Sequence, residues 1–131
     1  MRKPVMERRK YLRVETPLSI RAISKSKKLH ETTTKDISPL GLRFTIEAQD
    51  FNINEELELT IELPGTLNAV HTKAKVVWKK KMSTDDGAPI DIGCEFSRIE
   101  EDNKNTFLKY FCDLLYSQAK SISEREEVQF E

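Results

Sequence analysis

Asp36-Ile37-Ser38-Pro39-Leu40-Gly41-Leu42-Arg43-Phe44-Thr45-Ile46 is a polar turn that opens into a strand. Asp36 and Ser38 flank Ile37, so on an extended chain both face the same side. Ser38 precedes a proline, which biases it toward extended backbone. Gly41 permits a positive φ or a close approach of two backbones. Beyond it, Leu42, Phe44 and Ile46 alternate with Arg43, Thr45 and Glu47, the period of a half-buried strand. Taken alone, Asp, Ser-Pro and Gly are explained by local turn chemistry.

The same alternation recurs on both sides of this stretch. Leu18, Ile20 and Ala22 alternate with Ser19, Arg21 and Ile23, and Ser24–Lys28 is a polar connection. His30–Ile37 carries Thr32, Thr33 and Thr34, which favour a pleated surface. Leu57, Leu59, Ile61 and Leu63 alternate with Glu58, Thr60 and Glu62, and Pro64-Gly65 closes the run with a turn. Val70, Thr72, Ala74, Val76 and Trp78 share one face of the next strand, against His71, Lys73, Lys75, Val77 and Lys79. Ser83–Pro89 is a polar loop, after which Ile90, Ile92, Cys94 and Phe96 form an inward face. About six short strands separated by turns predict a barrel or sandwich. Phe107, Leu108, Phe111, Leu114 and Leu115 then form one apolar helical stripe. Asp102 is placed to cap that helix, and the stripe to cover an open mouth or edge of the sheet.

The chain has 131 residues, enough for one domain with a single core. Apolar residues make up 37% and charged residues 34%, wetter than an average globular domain. The 22 basic and 22 acidic residues cancel, without the basic excess of a general nucleic-acid or membrane binder. The charge is unevenly spread. Arg2, Lys3, Arg8, Arg9, Lys10 and Arg13 crowd residues 1–13, which read as a flexible basic arm ahead of a domain over 14–120. Glu124, Glu126, Glu127 and Glu131 weight the segment 121–131, which reads as a charged tail. No apolar run is long enough to span a membrane, and no signal-peptide core follows Met1. The chain therefore reads as cytoplasmic, with Cys94 and Cys112 buried and reduced.

The arm holds Arg9-Lys10-Tyr11-Leu12-Arg13, an R-x-x-x-R. A guanidinium fork matches both phosphate oxygens and the O6/N7 edge of guanine. A carboxylate such as Asp36 accepts from guanine N1–H and N2–H, and the Ser38 hydroxyl can serve a phosphate or another base atom. R-x-x-x-R alone reads as a solvated basic arm. In order, an R-x-x-x-R arm, two strands, and D-x-S-x-x-G opening a third strand resemble the PilZ domain family, bacterial receptors for the second messenger cyclic di-GMP. Val76-Val77-Trp78 and Ile92-Gly93-Cys94-Glu95-Phe96 are similar to that family's later strands.

The resemblance covers roughly residues 7–118 and implies a mainly all-β fold, a six-stranded antiparallel β-barrel with a C-terminal α-helix. It implies a cyclic di-GMP site of Arg8, Arg9, Arg13, Asp36, Ser38 and Gly41, with no catalytic residue, metal or cofactor. Ligand binding would order the arm and alter the surface offered to a downstream protein partner. Arg8 is either a further ligand contact, accompanying two stacked ligands in such proteins, or one more solvated charge. The alternative is an adaptor that keeps the fold and interacts with proteins without binding nucleotide. A single-stranded nucleic-acid binder would expose aromatics among basic residues, whereas the aromatics here fall mostly on inward positions. Trp78 accordingly reads as core. His30 and His71 stand apart, and Asp85-Asp86-Gly87 lacks the alternating ligands of a calcium loop. No phosphate loop, nucleophile elbow or zinc motif is present.

Overall fold

The computed structural model describes residues 12–47 and 51–129, with side chains described as far as Lys120. Seven strands and one helix follow each other: β1 (Val14–Glu15), β2 (Ser19–Ile23), β3 (Leu29–Ser38), β4 (Gly41–Ile46), β5 (Glu56–Ile61), β6 (Val70–Lys81), β7 (Ile90–Ile99) and α1 (Glu101–Gln129). All neighbours pair antiparallel. The sheet runs β1-β3-β2-β5-β6-β7-β4, and a β3–β4 pairing closes it into a six-stranded barrel with β1 added beside β3. Closure leaves the six long strands no free edge to offer another chain.

The inward set is the apolar half of each alternation. Ile20, Ala22, Ile37, Phe44, Leu57, Leu59, Ile61, Val70, Ala74, Val76 and Ile92 are all buried in one core. Phe51 is buried in the same core, its ring edge-on to His30 at 4.8 Å and to Phe44 at 6.5 Å between centroids. Phe107 and Phe111 of α1 are buried against the same core, with Leu114 and Leu115 packed partly on it. Phe107 meets Phe96 edge-on at 5.1 Å, a geometry that aligns the positive ring edge with the facing π cloud. The helical stripe thus covers the barrel as its period predicts.

The helix begins two residues earlier than a cap at Asp102 requires. Asp102 lies inside the first turn with Glu101, where both acids favour the positive end of the helix dipole. The segment from Ser121, read as a tail, continues the helix to Gln129. Cys112 is exposed rather than buried, because it lies off the apolar stripe, while Cys94 is buried and both thiols are free. No helix among the described residues is long and apolar enough to cross a membrane.

Two irregularities decide what the outer wall displays. In β3, Thr34 opposes Phe44 but Asp36 opposes Arg43, so Lys35 is an extra residue in the ladder. Without it, Asp36 would share the inward face of Thr34. In β6, Val76 opposes Cys94 but Trp78 opposes Gly93, so Val77 is the extra residue. Cys94 points inward, and Gly93 and its partner Trp78 therefore lie on the outside.

Candidate ligand-binding site

The corrected register sets a row of outward residues across the wall. Glu15 opposes Asp36, Asp36 opposes Arg43, Arg43 opposes Gly93 and Gly93 opposes Trp78. Around this row lies a cleft of about 210 Å³ lined by Arg13, Asp36, Ser38, Gly41, Arg43 and Trp78, with Leu40, Val77, Gly93 and Glu95 among its other walls. Four of the residues singled out in the sequence, Arg13, Asp36, Ser38 and Gly41, thus come together. Arg8 and Arg9 lie outside the described residues, as does the arm as far as residue 11.

Each of the four is positioned by a specific local cause. Arg13 is exposed and adjoins Val14, which is 1% exposed and pinned in the core. The β1–β2 connection is tied down from below by the buried Thr34. Its hydroxyl donates to Thr16 O at 2.6 Å and accepts from Leu18 N at 2.8 Å, so neither polar group is left unpaired. Arg13 is therefore rooted at the rim of the cleft. Ser38 closes the β3–β4 turn: its Oγ accepts from Leu40 N at 3.3 Å and approaches Gly41 O at 3.4 Å. Gly41 is required by close approach, not by a left-handed backbone. A Cβ there would stand 1.9 Å from the carbonyl oxygen of Cys94, and that carbonyl belongs to the β7 ladder.

Asp36 is buried, yet its partner is on the outer wall: Arg43 Nη2 meets its Oδ2 at 2.8 Å. Arg43 Nη1 also reaches Asp91 Oδ2 at 3.9 Å. Asp91 is the better-held carboxylate, accepting from Thr45 Oγ1 at 2.6 Å and pairing with Lys35 Nζ at 2.9 Å. Burial pushes the Asp91 carboxyl upward, but the Thr45 hydroxyl, Lys35 and Arg43 outweigh it and hold the group below its ordinary 3.8. Cys94 behind the wall is pushed up to about 12 by burial, so its thiol is protonated and unreactive at neutral pH.

Trp78 corrects the sequence reading. It is half-buried on the outer wall and not in the core, because the extra Val77 turns it outward. It lies against the Gly93 backbone, where a Cβ would stand 2.2 Å from its Nε1. The sequence held a clue: Val77 is an apolar residue on the polar side of its alternation, and it is 40% exposed. Arg43 was also missed, since its value depends on which residue it opposes. Its placement puts a cation, a carboxylate, a hydroxyl and an aromatic ring around one cleft. Such a cleft can read an anionic ligand carrying a flat, hydrogen-bonding ring. Among the described residues, no cluster of His, Cys, Asp and Glu could hold a metal ion.

A small closed barrel with a polar cleft on its outer wall and a helix over its core defines a binding module. The chain belongs to the PilZ domain family, whose model matches residues 7–111. The Bacillus subtilis inhibitor of motility MotI/DgrA is 21% identical with a TM-score of 0.69, covering 86% of this chain and 52% of its own. The K. pneumonia MrkH–c-di-GMP complex is 16% identical with a TM-score of 0.73, covering 86% and 55%. The PilZ domain with c-di-GMP of YcgR from Escherichia coli is 14% identical with a TM-score of 0.65, covering 89% and 98%. The chain thus spans about half the length of the MotI and MrkH chains it matches. No curated protein matches it by sequence.

Proposed function

We propose that this chain is a cytoplasmic, non-catalytic bacterial receptor for cyclic di-GMP, which relays ligand binding to a protein partner by ordering its N-terminal arm. The observation that carries the reading is the convergence of Arg13, Asp36, Ser38 and Gly41 on one cleft. Membership of the PilZ family supports it. So do the c-di-GMP complexes of MrkH and the YcgR PilZ domain, two neighbours with the same barrel.

The chemistry divides between the two motifs. Asp36 accepts from guanine N1–H and N2–H, and Ser38 serves a phosphate or a base atom. Arg9 and Arg13 read phosphate and the guanine O6/N7 edge, with Arg8 adding a further contact. Gly41 keeps the turn tight against β7. The cleft, at about 210 Å³, is smaller than the roughly 300–1,000 Å³ of small-molecule sites. It is a floor that takes part of the dinucleotide, and the arm supplies the rest. Ordering the arm costs conformational entropy, which the charge-assisted contacts to phosphate must exceed.

The chain has one tryptophan, and it lines this cleft. A titration followed by Trp78 fluorescence therefore reports occupancy directly. Cyclic di-GMP is expected to give a saturable change, with GMP and GTP giving none at the same concentrations. Arg13→Ala loses an anchor worth about 1–3 kcal/mol, or roughly a factor of 5–150 in Kd. Asp36→Ala weakens binding and also blunts the preference over cyclic di-AMP. Unaltered binding by both variants would remove these residues from the site.

A further inference from the structure

We infer that Arg43 is the positioning residue of the cleft: it holds the Asp36 carboxylate in the guanine-reading orientation and so sets the preference for guanine. The inference rests on the receptor reading above and deepens it. Arg43 lies outside the R-x-x-x-R and D-x-S-x-x-G patterns, and its role follows from register. The extra Lys35 places Asp36 opposite Arg43 across the β3–β4 ladder. Their side chains then meet at 2.8 Å, with the carboxylate only 8% exposed and the guanidinium 30%. A carboxylate so shielded needs a partner for its oxygens, and Arg43 supplies one.

The guanidinium fork adds direction to charge. Nη2 takes Asp36 Oδ2, and Nη1 leans toward Asp91 at 3.9 Å. Asp91 is itself fixed by Thr45 and Lys35, so it serves as a post that keeps the fork from swinging outward. The Nε of Arg43 is buried with no hydrogen-bond partner among the described residues. The arrangement therefore accepts an unpaired donor in order to keep the Asp36 contact. A carboxylate has about four lone-pair sites. With Oδ2 held by Arg43, the lone pairs of Oδ1 remain for a further donor. Guanine offers two adjacent donors to such a group, whereas adenine offers a different edge. Arg43 thereby acts on specificity through Asp36 without needing to touch the ligand.

The test is the ratio of Kd values for cyclic di-AMP and cyclic di-GMP in four proteins: the parent, Arg43→Gln, Arg43→Lys and Asp91→Asn. Arg43→Gln is expected to weaken cyclic di-GMP at least tenfold while changing cyclic di-AMP little, so the ratio collapses. Arg43→Lys keeps a cation within reach of Asp36 and is expected to stay within threefold of the parent. Asp91→Asn removes the post but not the Asp36 contact, and is also expected to stay within threefold. A purely structural role for Arg43 moves Asp91→Asn and Arg43→Gln together and leaves the ratio unchanged. If Arg43→Gln fails to fold, Arg43→Gln/Asp91→Asn replaces it, since that pair leaves Lys35 and Asp36 with balanced charge. The same collapse of the ratio is expected there. Retention of the parent ratio in either glutamine variant overturns the inference while the receptor reading stands. Absence of cyclic di-GMP binding in the parent overturns the receptor reading itself, and this inference with it.

Discussion

At the scale of single residues, part of the site leaves no room for one added carbon. Gly41 is the sharpest case. A methyl group there meets the Cys94 carbonyl at 1.9 Å, and both partners are ladder backbone with no side chain to swing aside. Gly41→Ala is expected to force β4 and β7 apart, at a cost of about 2 kcal/mol or more and a Tm lower by roughly 10 °C. Thermal unfolding measures it, and an unchanged Tm would mean that the two backbones stand further apart. Asp91 makes a prediction in pH. Its folded carboxyl is held below the ordinary 3.8, so the stability it contributes is present above that value and is lost as pH falls through the lower folded value. The Tm gap between the parent and Asp91→Asn is expected to be constant near neutrality and to close below about pH 3.8. A gap that persists at lower pH would contradict the pairing with Lys35, Arg43 and Thr45.

At the scale of elements, alternation carries most of the fold and register carries the site. The six long strands lie where the two-residue period puts them, because one buried face constrains every second side chain. The helix is equally legible, since Phe107 and Phe111 can both be buried only on one stripe. The polar motif was legible too: Asp36, Ser38 and Gly41 are unusual together, and all three line the cleft. What alternation cannot reveal is an inserted residue. Lys35 and Val77 each break the period by one, and each turns its successor outward. Hence Trp78 reads as core in the sequence and is a wall of the cleft in the structure. Arg43 was invisible for the same reason, because its partner is fixed across the ladder and not along the chain. In the proposed receptor, the arm is the element on which signalling turns. Free protein is expected to exchange backbone hydrogens quickly from Arg9 to Arg13, and the complex slowly, in a hydrogen-exchange experiment. Strong protection without ligand would mean a prebuilt site and would remove arm ordering as the signal.

At the scale of the whole molecule, the barrel is a rigid wall that brings residues from four places in the chain into one cleft: Arg13, Asp36 with Ser38, Arg43 and Trp78. The closed sheet fixes their spacing. In the proposed receptor this platform reads the ligand, and ordering of the arm changes what a partner sees. The proposed number of ligands rests on Arg8. If Arg8 neutralises a phosphate and stacks on a guanine of a second dinucleotide, two ligands bind per chain, and Arg8→Leu reduces this to one. The central claim is tested most directly by calorimetric titration of the intact chain with cyclic di-GMP, with cyclic di-AMP, GTP and GMP as controls. Saturable heat for cyclic di-GMP alone, with a stoichiometry of two that falls to one in Arg8→Leu, is the predicted result. One ligand in the parent would remove the second site and leave the receptor intact, whereas no heat from cyclic di-GMP, or equal binding of cyclic di-AMP, would contradict the account.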